Sequence, residues 1–308
     1  MKKFIMLLLV VFSFSLMTGC AGNPGTAAES DSGKISVVTS FYPMYDFAVK
    51  VAGEHAVVTN LTPAGIEPHD WEPSSTDMIT LEKADVFIYN GSGMEHWVDP
   101  VLSSLENKDL IVVEASKAIS LLTSSEASAD NTDSFDPHVW LDPQMAKLEM
   151  HAILAALIAA DPEHTESFQA SYDKYALDFD ALDVEFNSAL SAVPQKNIVV
   201  AHNAFAYLCN AYGLTQVPIE GLAADSEPDA ARMSEIIDFV SKNNVKVIFF
   251  EELVSPKVAK SIAQETGSST AVLNPLEGIS DENQAAGEDY FSVMRTNLKT
   301  LVDSLTIK

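Results

Sequence analysis

The sequence predicts an α/β protein of two domains, each with a mostly parallel sheet flanked by helices, joined by one long rigid helix. Three observations carry this. Short β-branched and aliphatic runs, such as Val86-Phe87-Ile88-Tyr89 and Val245-Lys246-Val247-Ile248-Phe249-Phe250, are separated by stretches of helical periodicity. Runs that are apolar on both faces and separated by helices belong to parallel sheets with helical crossovers. The alternation stops near Asp161-Pro162 and restarts after Pro194. In between, Phe168, Tyr172, Tyr175, Phe179, Leu182, Phe186 and Leu190 recur every three or four residues. That is one continuous apolar stripe on a helix of about 28 residues, ~42 Å long. A helix of that length can run the height of a two-domain protein, with a cleft between the domains and little hinge motion.

In chain order, Lys2-Lys3, an apolar core from Phe4 to Phe14, and Leu16-Met17-Thr18-Gly19-Cys20 form a processing signal too short to span a bilayer. It resembles a bacterial lipoprotein signal peptide, with Met17 where leucine is usual. The resemblance implies removal of residues 1–19 and lipidation of Cys20. Residues 20–33, rich in Gly, Ser and Ala, read as a flexible tether. The N-terminal α/β domain is expected over 34–162, with strands at 35–39, 56–61, 86–89 and 110–113 and helices at 44–52, 74–84 and 143–160. Residues 121–134 are polar and acidic and read as an exposed loop. The linking helix is expected over 163–193. The C-terminal α/β domain, 194–308, has strands at 197–201, 216–220, 245–250 and 270–274. Its helices fall at 204–212, 230–243, 256–266 and 290–305.

The composition is that of a globular protein, with 44 Asp+Glu against 18 Lys+Arg and a net charge of −26. That balance excludes nucleic acid as a partner, because phosphate binding needs clustered cations, and it favours cation attraction. With Cys20 acylated, Cys209 has no partner for a disulfide and reads as a buried thiol.

Two segments share an unusual grammar: Pro68-His69-Asp70-Trp71-Glu72-Pro73 and Asp136-Pro137-His138-Val139-Trp140-Leu141-Asp142-Pro143. Flanking prolines stiffen the backbone and hold each histidine at a fixed angle. A third histidine, His202, follows the apolar run Ile198-Val199-Val200. All three fall on the loop side of strands, where open α/β sheets carry ligands. Two come from the first half and one from the second, so they can converge only in the cleft. Three neutral imidazoles suit Zn²⁺. Glu277, just past a strand end, is the best-placed carboxylate for a fourth ligand, with Glu251, Glu252 and Asp281 as competitors. Asp136 or Asp142 could orient the His138 ring. His55, His151 and His164 read as structural, and His96, in Gly93-Met94-Glu95-His96-Trp97, is open.

These motifs, together with Thr39-Ser40-Phe41-Tyr42-Pro43, Gly91 to Trp97, Ala201-His202-Asn203-Ala204-Phe205-Ala206-Tyr207 and Asn274-Pro275-Leu276-Glu277, resemble the zinc/manganese-binding lipoproteins of bacterial ABC importers. That group includes zinc-uptake solute-binding proteins and lipoprotein adhesins. The resemblance covers essentially the whole chain after residue 34. It implies metal ligands at His69, His138 and His202, with a carboxylate near the last strand, here Glu277. Histidine rather than glutamate at the third position implies Zn²⁺ over Mn²⁺. The histidine-rich loop that many zinc members carry before the second motif is replaced by 124–134, which has no histidine.

The expected function is therefore capture of Zn²⁺ and its delivery to an ABC permease. The protein is expected to be a monomer, lipid-anchored at the extracytoplasmic face of the cell membrane, with no catalytic residues. Four protein ligands leave no metal-bound water to activate, which argues against an enzyme. The alternatives are a manganese-binding member of the same family, or a surface adhesin with a structural metal. A zinc hydrolase would need an open coordination position and a base such as Glu251 or Glu252, and no His-Glu-x-x-His pattern is present.

Overall fold

The computed structural model describes residues 33–123, 135–222 and 228–307. The expected signal segment, Cys20, the tether up to residue 32 and the 124–134 part of the acidic loop lie outside the described residues.

Among the described residues, eight short strands form two parallel four-stranded sheets. The first contains β1 (Ile35–Thr39), β2 (Ala56–Asn60), β3 (Val86–Tyr89) and β4 (Ile111–Glu114) in the order β2-β1-β3-β4. The second contains β5 (Asn197–Val200), β6 (Thr215–Pro218), β7 (Val247–Phe250) and β8 (Ser269–Val272) in the order β6-β5-β7-β8. Val37 pairs with Val58 and Val86 across the first sheet, and Val199 with Val217 and Ile248 across the second. In each sheet the chain leaves its central strand to one side and returns on the other, so a crevice opens at the carboxyl ends of β1/β3 and of β5/β7.

The first half carries α1 (Tyr42–Ala52), α2 (Ser75–Glu82), α3 (Val98–Ser104) and α4 (Pro143–Ala160), and then comes α5 (Thr165–Ser191). The second half carries α6 (Ala206–Tyr212), α7 (Ala230–Lys242), α8 (Lys257–Thr266), α9 (Asp281–Ala285) and α10 (Tyr290–Leu305). Local chemistry sets the key starts. Asp142 caps α4, accepting from the Gln144 N–H at 2.8 Å, and Pro143 opens the first turn. Ser74 with Asp77, and Asp289 with Ser292, form reciprocal capping boxes on α2 and α10. The α3 helix has no counterpart among the expected elements, and it contains Pro100. In the first turn, the missing proline N–H costs nothing.

The period-2 strand pattern explains why the runs are apolar on both faces. Val37 faces a core shared by both sheets, whereas its neighbour Val38 faces an outer cluster with Leu81, Phe87 and Trp97. In the second sheet, Ile198 and Val200 face the shared core, and Val199 faces an outer cluster with Ile236 and Ile262. The 27-residue α5 lies along that shared core. Its Phe179 ring meets Phe47 of α1 at 5.7 Å, Tyr290 at 5.3 Å and Phe291 at 4.8 Å, the last two on α10. The long helix thus does more than connect: its stripe is the seam along which both halves bury apolar surface. Residues 34–308 form one compact unit.

Candidate metal centre

The three histidines of the sequence motifs come together with Glu277. His202 lies two residues past the carboxyl end of β5, and Glu251 directly past β7, its sheet neighbour. His69 lies on the loop after β2, and His138 on the segment that feeds a single 3-10 turn, Val139–Leu141, and then α4. Glu277 sits on the turn after β8.

The Glu277 Oε1 atom is 3.0 Å from His138 Nε2, 3.0 Å from His202 Nε2 and 3.4 Å from His69 Nε2. His138 Nε2 is 3.2 Å from His69 Nε2 and 3.4 Å from His202 Nε2. A tetrahedron with metal–ligand bonds of about 2.0–2.1 Å has edges of roughly 3.3 Å. Five of the six edges of this donor set therefore already match a tetrahedral Zn²⁺ site. His138 and His202 are fully buried, Glu277 nearly so, and the His69 side chain is 10% exposed.

Ring orientation is fixed from behind. Asp136 Oδ1 accepts from the His138 backbone N–H at 2.9 Å and lies 2.8 Å from its Nδ1. Glu251 Oε1 lies 2.5 Å from His202 Nδ1. In each case the Nδ1 proton goes to a carboxylate, which turns the Nε2 lone pair toward the shared centre. The choice the sequence left open is thereby resolved by geometry: Asp136 orients His138, and Asp142 caps α4.

The supports interlock. Asn90 Nδ2 donates to the Pro137 carbonyl, and the Tyr207 hydroxyl to the Asp136 carbonyl. Glu95 holds Asn90 in place by accepting from the Asn90 and Gly91 N–H groups and from Ser40 Oγ. Gly91 is required there, because at φ +87 an added Cβ would come within 2.5 Å of the Glu114 side chain. Trp140 packs 5.3 Å from the His138 ring and donates its indole N–H to the Pro275 carbonyl, tying the His138 segment to the Glu277 turn. Within that turn, Leu276 adopts φ +59, a conformation that costs a non-glycine residue of order 1–3 kcal/mol. The Asn274 side chain accepts from the Leu276 N–H at 2.7 Å, and Asn297 of α10 bonds both the N–H and the carbonyl of Asn274.

The charges of the cluster act strongly on one another. Burial pulls His202 down, but Glu251 and Glu277 outweigh it and hold the imidazole well above the ordinary histidine value. Burial likewise opposes His138, yet Asp136 and Glu277 raise it. Burial pushes Glu277 up, but the three histidines together hold its carboxyl well below the usual range. Glu67, half-buried nearby, is pushed up to about 8 by burial and by the charge on Glu277.

Glu251, Glu252 and Asp281 do not join the donor set. Glu251 faces the far side of the His202 ring, Glu252 bonds the Asn274 and Asn283 amides, and Asp281 opens α9 at the surface. His55 and His164 stack on each other 4.0 Å apart, and His151 packs on Tyr172. His69, His138, His202 and Glu277 are the one group of three or more metal-ligating side chains gathered among the described residues. Glu67 escaped the sequence reading. Its only mark there is position, two residues before a histidine whose N–H it accepts at 3.1 Å.

Comparison with known proteins identifies the family. The family model ZnuA, zinc-uptake complex component A periplasmic, matches residues 37–304. The chain belongs to the ZnuA family. A ZnuA relative, the high-affinity zinc uptake system protein of Bacillus subtilis, is 39% identical over 317 residues, covering 100% of this chain and 99% of the relative. The zinc-binding lipoprotein AdcA of Streptococcus pneumoniae is 39% identical over 309 residues, and this chain spans only 60% of its length. The crystal structure of the Zn(II)-bound ZnuA-like domain of that AdcA superposes with a TM-score of 0.79 at 40% identity, over 89% of this chain and 100% of the domain. The family is that of a solute-binding transport component, in keeping with the two parallel-sheet domains described above.

Proposed function

We propose that this chain captures one Zn²⁺ between its two sheets through His69, His138, His202 and Glu277 and delivers it to an ABC permease. The observation that carries this reading is the donor set itself, with edges of 3.0–3.4 Å between three imidazole nitrogens and one carboxylate oxygen. Imidazole nitrogen with a single carboxylate favours zinc over manganese, which takes oxygen-rich octahedral sites. Four protein ligands close the coordination sphere, so the bound ion has no water to activate, and the site is built for capture and release rather than catalysis. Zinc is thus the cargo. Lipidation at Cys20 would keep the capture site beside the permease on the extracytoplasmic face.

Two measurements test this together. Elemental analysis after zinc loading and dialysis should find one zinc per chain, with His138→Ala and Glu277→Ala retaining far less. A deletion strain should grow in zinc-depleted medium when it carries the wild-type gene but not the His138→Ala gene. Full growth with His138→Ala, or manganese retained in place of zinc, would overturn the proposal.

A further inference from the structure

The four donors are not equally placed. His138, His202 and Glu277 are sealed, while His69 keeps 10% of its side chain exposed. That exposure opens into a cavity of about 210 Å³ whose wall includes His69, Asp70, Ser92, His96, Phe135 and Leu222. His96 is a metal-ligating side chain with no role in the donor set. Its side chain is 53% exposed, and its Nε2 lies 3.4 Å from Glu72 Oε1. Asp70, Glu72 and His96 come from two loops, one after β2 and one after β3, and both open at the carboxyl ends of the first sheet. Glu277 also borders two other cavities: one of about 10 Å³ beside Glu67, Glu251 and Glu252, too small for a hydrated ion, and one of about 310 Å³ whose remaining polar wall is hydroxyl and amide, including Tyr45, Asn60, Thr62 and Gln284. Those neutral groups are poor partners for a divalent ion that must exchange its water shell step by step, whereas imidazole and carboxylate are good ones.

We propose that the His69-side cavity is the route by which zinc reaches the site, and that His96, paired with Glu72, is an outer capture station that takes the hydrated ion and passes it to His69. This rests on the proposed function of the inner site. An exposed imidazole with one exposed carboxylate beside it suits a station that must let go. An acidic rim on a chain of net charge −26 also raises the local cation concentration. Because such a station lies outside the bound state, it should change the rates of loading and unloading together and leave the equilibrium affinity alone.

The test is stopped-flow zinc association followed by tryptophan fluorescence, with the dissociation constant measured separately by competition with a chromophoric chelator. His96→Ala should slow association by about threefold or more at unchanged affinity. His96→Cys, which restores a metal-binding side chain, should recover the rate, and His96→Gln should not. Asn60→Ala, on the cavity walled by hydroxyls and amides, should load at the wild-type rate. An unchanged rate in His96→Ala, slowing in Asn60→Ala instead, or a weakened affinity in His96→Ala would each overturn the capture station while leaving the inner site standing. Failure of the wild-type protein to bind zinc at all would remove the inner site and the station together.

Discussion

At the scale of the residue, the centre depends on carboxylates that do not touch the shared point. Asp136 and Glu251 each take an Nδ1 proton and aim the opposite nitrogen inward. Replacing such a partner usually costs about 10–100-fold in metal affinity. Asp136→Asn and Glu251→Gln should therefore weaken zinc binding by roughly tenfold or more in chelator competition. Asp142→Asn should leave affinity unchanged and only weaken the α4 cap, and equal effects at 136 and 142 would contradict the assignment. The reason Asp136 was within reach of sequence reading is local: an aspartate two residues before a histidine can bond both its backbone and its ring. Glu251 was visible only as one of several carboxylates near strand ends. Its partner, His202, is 49 positions away, and only the pairing order β5-β7 makes them neighbours.

At the scale of the element, α4 and α5 carry the buried features that matter most. Glu149 on α4 is fully buried, and neither of its oxygens has a hydrogen-bond partner among the described residues. Burial, and then the neighbouring Glu95, raise its carboxyl well above the ordinary value. Glu95 is itself pushed up to about 7 by burial. In both cases the folded state holds the proton more tightly than the unfolded chain. Their contribution to stability is thus fully present below about pH 4.5 and is lost as pH rises through the folded values. Urea midpoints should show the wild type losing stability relative to Glu149→Gln between pH 5.5 and 8, and parallel curves would contradict this. On α5, Phe179 packs on α1 and α10 at once. Phe179→Ala should cost about 3–5 kcal/mol and lower a single thermal transition rather than split it. The stripe was legible because its spacing is purely local. That its partners come from both ends of the chain was not, since helical periodicity fixes which face is buried and says nothing of what covers it.

At the scale of the whole molecule, the two sheets share one core, and hydrogen bonds cross between the halves close to the site. Trp140 donates to Pro275, the Tyr290 hydroxyl donates to the Trp140 carbonyl, and the Gly65 N–H donates to the Ile279 carbonyl. Such a body has little freedom to close like a hinge, so small-angle scattering should give the same radius of gyration with and without zinc. A clear contraction would contradict it. The alternation of strands and helices made both parallel sheets legible, because β-branched runs apolar on two faces have few other uses. The centre was legible to the extent that stiff Pro-His segments mark themselves. What stayed hidden was the strained turn at Leu276 and the half-buried Glu67, both set by packing between distant segments. The most direct test of a zinc site shared by the two halves is anomalous diffraction at the zinc edge from crystals of the loaded protein. We expect one strong peak bonded at about 2.0–2.2 Å to His69, His138, His202 and Glu277 with no water. A peak held by one half alone, or by an oxygen-rich six-ligand shell without these histidines, would contradict it.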